Sequence, residues 1–250
     1  MPRGGGEPTV IKLPGMPAAR PAGGQVCTLL AFDIHEFTRP DRDEAIRIHL
    51  HKALYDVLTD AFGGSGLPWS RCHREDRGDG ALVILPPGIP AQPVIDPLPE
   101  RLRGLIRRHN RVACDAAQMQ LRAAAHIGPV YGDAYGMISD DLNLLFRMLD
   151  AAPLRRALAG SGAELALAVS GYMHDSLVVR HRTLVDPALF RPMKTQVKRT
   201  RISAWMYLPG AEPPGPAAVP TVSGPVPAPG GLTLPARHRG TRTALPGPPP

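Results

Sequence analysis

The sequence predicts a mixed α and β domain, an α+β or α/β sheet of the ferredoxin-like kind with additions. Three observations carry that prediction. Strand-like and helix-like segments alternate in the order strand, helix, hairpin, helix, strand, helix, strand. The first strand segment, in VCTLLAFDI, is a continuous apolar run, as expected of a strand buried on both faces. Gly78-Asp79-Gly80 separates a polar run from the apolar Ala81 to Leu85, a hairpin signal, because glycine accepts the positive φ of tight turns.

Gln25 to Ile34 reads as the central strand. Asp41 to Phe62 follows as a helix, with Ile46, Leu50, Leu54 and Leu58 at helical spacing, acids in the first turn, and Gly63-Gly64-Ser65-Gly66 after it. His49 and His51 are too close in sequence to share one helix face, so they are not a ligand pair. Trp69 to Glu75 and Ala81 to Pro86 form the hairpin, and Pro97 to Met119 a second long helix. Leu121 to Ile127 is a strand, followed by a loop with Gly128, Gly132 and Gly136. Asp140 to Leu158 is a third helical stretch that Pro153 should kink or break. Leu165 to Ser170 and Ala204 to Leu208 are the remaining strands.

Composition divides the chain. Residues 1–23 and the tail from residue 211 are rich in Pro and Gly and lack a sustained apolar period, so both are expected to be disordered, the tail partly as polyproline II. Residues 24–210 remain as one domain of roughly 185 residues, enough for a real core. Cys27, Cys72 and Cys114 form neither a disulfide framework nor a zinc pattern. No stretch approaches the ~18 apolar residues that span a bilayer, so no membrane is implied and a cytoplasmic location is expected. The net charge of +7 comes almost wholly from arginine. Its densest cluster, Glu100 to Arg111, reads as a solvated helix face, and without interleaved aromatics it does not suggest nucleic acid.

Two carboxylates stand out. Asp33 ends the first buried strand and Asp79 opens a second, so adjacent strand ends deliver both to the edge of the sheet, where two aspartates can hold divalent metal for phosphoryl transfer. The plainer reading of Asp79, Glu75 and Asp76 is a solvated turn.

Asp33-Ile34 with Phe37-Thr38, then Gly78-Asp79-Gly80, then LRAAAHIG, then Asn143 and Arg147 resemble, in order and spacing, the motifs of the class III nucleotidyl cyclases. DRGDG, RMLDAAPLRRAL and AWMYLPG resemble a small, divergent actinobacterial group of that family. The resemblance covers about residues 25–210 and implies an α+β fold with a βαββαβ core. It implies that Asp33 and Asp79 bind two divalent ions, Mg2+ or Mn2+. It also implies that Ile34 and Phe37 contact the substrate, a nucleoside triphosphate cyclised with loss of pyrophosphate. Asn143 would orient the ribose and Arg147 stabilise charge on the phosphate. The two are i and i+4 on one helix, so they project together. The plainer alternative for Arg147 is an ion pair with Asp150.

The phosphate-binding lysine of the family falls on KTQVKRTR, where Lys198 fits better than Lys194, with Arg199 or Arg201 as substitutes. Glu75 stands where the family reads the base, and a carboxylate accepts from guanine, which favours GTP over ATP. Its plainer alternative is pairing with Arg77 or Arg74. Glu36 departs from the small residue usual there, and the loop from Gly128 to Asp141 is short, with Gly136 near the second base-reading position. The resemblance further implies a head-to-tail homodimer with sites at the interface. A degenerate nucleotide-binding module is the alternative to an enzyme, and an adaptor recruiting protein partners through the Pro-rich tail is a third reading.

Overall fold

The structure is a computed structural model and describes residues 24–132, 136–180, 184–197 and 200–211, with the backbone alone for residues 195–197 and 200–202. Residues 1–23 and 212–250, expected to be disordered, lie outside the described residues, as do Lys198 and Arg199.

Among the described residues the first half of the chain forms β1 (Gln25–Ile34), α1 (Glu44–Gly64), β2 (His73–Asp76), β3 (Gly80–Ile84), α2 (Gln92–Ile95) and α3 (Leu98–Asn110). The second half forms β4 (Leu121–Gly132), β5 (Met137–Ile138), α4 (Asp140–Leu149), α5 (Ala152–Ser161), β6 (Leu165–Ser170), α6 (Gly171–Met173), β7 (Arg191–Val197) and β8 (Thr200–Tyr207). A π-helical turn, His174–Val179, extends α6. The eight-stranded sheet runs β2-β3-β1-β4-β6-β8-β7, with β5 paired to the end of β4. Its first four strands, all antiparallel, are the ferredoxin-like core. The additions begin where β6 joins β4 in parallel and continue through the β7–β8 hairpin.

β1 is apolar throughout because both of its faces are covered. Leu30, Phe32 and Ile34 point into one core with Leu50, Leu54 and Leu58 of α1 and Leu102 and Ile106 of α3. Cys27, Leu29 and Ala31 point into a second core with Leu142, Leu145 and Met148 of α4 and Leu154 and Leu158 of α5. By the strand's alternation Asp33 lies on the α4 and α5 face.

The second helix ends at Asn110, nine residues short of the expected Met119. The Asn110 side chain accepts from Met119 N at 2.7 Å and donates to Met119 O at 2.8 Å, clamping the returning chain beside the helix end. The third helical stretch divides at Ala151, with Pro153 in the first turn of α5, as its missing N–H favours. β4 continues through the expected glycine loop, because residues 128–130 pair with the start of β1. β7 was not expected from the sequence. Its Pro192 is tolerated because β7 is an edge strand.

Candidate active site

β1 and β3 bring Asp33 and Asp79 together. Asp33 pairs with Gly80, and Ile34 N donates to Asp79 O at 2.9 Å, so the two aspartates leave neighbouring strand ends. The turn needs both glycines, for different reasons. Gly78 has φ +81, the left-handed region, while a Cβ on Gly80 would run into Phe32 O. Asp79 is exposed and Asp33 is buried. Burial pushes the Asp33 carboxyl up to about 6; Arg122 opposes the rise, and the charges of Asp79 and Asp150 add to it.

Arg122 lies within LRAAAHIG, but the sequence alone does not reveal its role. It is the β4 partner of Asp33 in the strand register, and its Nη2 donates to the Asp33 carboxylate. Nη1 donates to Leu149 O at 3.4 Å and lies 3.9 Å from Asp150. Arg122 Nε is buried without a partner among the described residues. The β1–β4 register, which sets it directly opposite Asp33, is what identifies it.

Asp33 and Asp79 fit a divalent cation. Carboxylate oxygens suit Mg2+ and Mn2+; burial is the main cause of the raised Asp33 pKa, and the lesser contribution from the neighbouring Asp79 and Asp150 charges is one that a cation there would offset. Among the described residues no three His, Cys, Asp or Glu side chains are grouped to hold a metal ion.

Ile34 is 1% exposed and packs in the α1 core, which leaves only its backbone for a ligand. Phe37 is half-buried against the same core. Glu75 pairs with Leu82 across the hairpin and so shares the sheet face of Asp33. Its carboxylate accepts from Arg77 at 2.8 Å and lies 2.9 Å from His73 Nε2. Arg77 in turn sits over the Phe146 ring at 5.0 Å, tying the hairpin to α4.

Asn143 is exposed and Arg147 half-buried on α4. The start of that helix is held by groups that sequence reasoning also missed. Ser139 Oγ accepts from Asp141 N at 2.9 Å and donates to Pro129 O at 2.5 Å. His126 Nε2 lies 2.7 Å from Asp141 Oδ1. Gly128 permits that contact, since a Cβ there would overlap the Asp141 side chain. Lys194 lies on β7. Lys198 is outside the described residues, and the structure does not place the phosphate-binding lysine.

No family model matches the chain, and no curated protein matches it significantly. Solved structures do. An adenylate/guanylate cyclase/hydrolase from Silicibacter pomeroyi is 19% identical over 76% of this chain and 100% of that one, with a TM-score of 0.54. The guanylyl cyclase Cya2 is 17% identical over 77% of this chain and 96% of that one, at 0.54. The catalytic core of a rhodopsin-guanylyl cyclase with converted specificity, in complex with ATPαS, is 15% identical over 73% and 95%, at 0.50. At such identities the likeness is one of fold. Among the described residues no helix is long and apolar enough to cross a membrane. The described domain has the fold of the adenylate and guanylate cyclases.

Proposed function

We propose that this chain is a nucleotidyl cyclase-like protein that binds a nucleoside triphosphate at Asp33 and Asp79 and converts it to a 3′,5′-cyclic nucleotide and pyrophosphate. The observation that supports the reading is the position of those two aspartates at neighbouring strand ends of this fold. The 3′-oxygen attacks the α-phosphorus, the bond to the departing pyrophosphate breaks, and the hydroxyl proton passes to solvent water. Two bound divalent ions, Mg2+ or Mn2+, would lower the pKa of the 3′-hydroxyl and offset the charge of the triphosphate. Asp33 and Asp79 are the residues that would hold them. The backbone of Ile34 and Phe37 follows the phosphates, and Lys198 neutralises them.

Asn143 orients the ribose and Arg147 meets charge developing on the phosphate, both supplied by a second copy of the chain in a head-to-tail dimer. Glu75 favours GTP over ATP once its carboxylate turns from Arg77 and His73 to the base.

A second reading, a nucleotide-binding module without turnover, is favoured by one observation: Asp33 and Glu75 are already engaged by cationic or imidazole partners. Incubating the protein with GTP or ATP and Mn2+ or Mg2+, with detection of cyclic product and pyrophosphate, separates the two. Product supports the enzyme. Binding without product supports the module. Absence of both overturns each reading.

A further inference from the structure

Arg42 is 5% exposed, and its guanidinium is satisfied by backbone carbonyls. Nε donates to Ala116 O at 3.0 Å and Nη2 to Gln118 O at 2.8 Å, while Nη1 reaches both His35 O at 3.2 Å and Glu36 O at 2.9 Å. Among the described residues no carboxylate forms an ion pair with it. A buried cation served only by neutral oxygens is a costly way to fill space.

Its effect is on the turn that leaves Asp33. In an extended chain successive carbonyls point to opposite sides, yet those of His35 and Glu36 both face Arg42. Glu36 makes this possible with φ 53, a left-handed conformation uncommon outside glycine. A trans peptide sets its N–H opposite its carbonyl, so the N–H groups of Glu36 and Phe37 face away from Arg42. Among the described residues neither N–H has an acceptor, nor has that of Thr38. Successive free N–H groups on such a turn form an anion-binding concavity, here backed by a fixed positive charge and within four residues of Asp33.

We infer that Arg42 is a positioning residue: it touches no substrate, but fixes the turn after β1 so that the Glu36 and Phe37 N–H groups are aimed at the phosphate chain of the nucleotide. The inference rests on the nucleotide reading above. Arg42 also pins this turn to the 116–118 segment leading into β4, coupling the phosphate loop to the strand that carries Arg122.

The test is calorimetric binding of tripolyphosphate with Mn2+, and of GTP, to the wild-type chain and to Arg42→Lys and Arg42→Met, with thermal midpoints measured alongside. Lysine keeps the charge but cannot span the four carbonyls. Both variants are expected to lose about tenfold or more in tripolyphosphate affinity, the cost of misaiming a hydrogen bond to a charged group. In turnover, KM for GTP should rise with little change in kcat. A lowered midpoint with unchanged tripolyphosphate affinity overturns the inference and leaves Arg42 purely structural. If Arg42 variants fail to fold, Glu36 decides. Glu36→Gly, free to adopt the left-handed turn, is expected to retain the affinity, and Glu36→Val, which resists it, to lose about threefold or more. Equal affinity in these two overturns the inference. Wild type that binds GTP but not tripolyphosphate overturns the phosphate loop while sparing the nucleotide reading; failure to bind either overturns both.

Discussion

Asp33 and Arg122 form a part-buried ion pair in which each offsets the other's charge. Arg122→Gln leaves the Asp33 carboxylate buried without its cation, which is expected to cost about 3 kcal/mol. Mn2+ supplies the missing charge, so millimolar Mn2+ should restore much of the lost thermal midpoint in the variant while moving the wild type little. A variant equally stable with Mn2+ and with chelator contradicts the placing of a cation at Asp33. At this scale the sequence is only partly legible. Asp33 and Asp79 stand out because each borders a continuous apolar run, which fixes where its strand ends. Arg122 does not, because an arginine within an apolar strand acquires meaning only when the β1–β4 register sets it opposite Asp33. Arg42 is hidden for a related reason: its partners are carbonyls, and carbonyls have no residue type to search for.

The β2–β3 hairpin is fastened to α1 by Asp76, whose carboxylate lies 3.1 Å from His51 Nε2 and accepts from Tyr55 Oη and Gly78 N, each at 3.1 Å. Burial raises the Asp76 pKa, but the hydrogen bonds from His51, Gly78 and Tyr55 outweigh it, and the net shift is downward. A depressed folded-state pKa contributes stability that is full above the unfolded value, about 4, and is lost as pH falls through the folded value. Asp76→Asn is therefore expected to be less stable than wild type at neutral pH, with the gap closing as pH falls below the unfolded value. Urea melts above and below that value check this; a constant gap contradicts it. Elements with apolar periodicity or continuous runs, such as α1, β1 and β6, are legible in the sequence. The end of α3 is not, because the Asn110 clamp is a long-range bond to Met119 and leaves no mark in local propensity. β7 is invisible for the opposite reason: as an edge strand it needs no apolar alternation and carries a proline.

For the whole molecule, one sheet separates two cores; Asp33 lies on the α4 face, Asp79 is in the exposed turn at the neighbouring strand end, and Asn143 is exposed on α4 itself. In the proposed head-to-tail dimer those groups meet across the interface. Sedimentation with a GTP analogue and Mn2+ is expected to give the mass of two chains, and a persistent monomer contradicts that assembly. Neither its symmetry nor its ligand is written in local sequence pattern; both are implied by the resemblance to the cyclase family. The proposed activity depends above all on Asp33 and Asp79 together holding a metal–triphosphate complex. Asp79 is exposed, so Asp79→Asn should fold and isolate binding from stability. Calorimetric titration of a GTP analogue into wild type and Asp79→Asn, with Mn2+ and with chelator, tests it directly. Mn2+-dependent binding is expected in the wild type, weakened at least about tenfold in the variant. Binding that is equal in the two proteins, or indifferent to Mn2+, contradicts it.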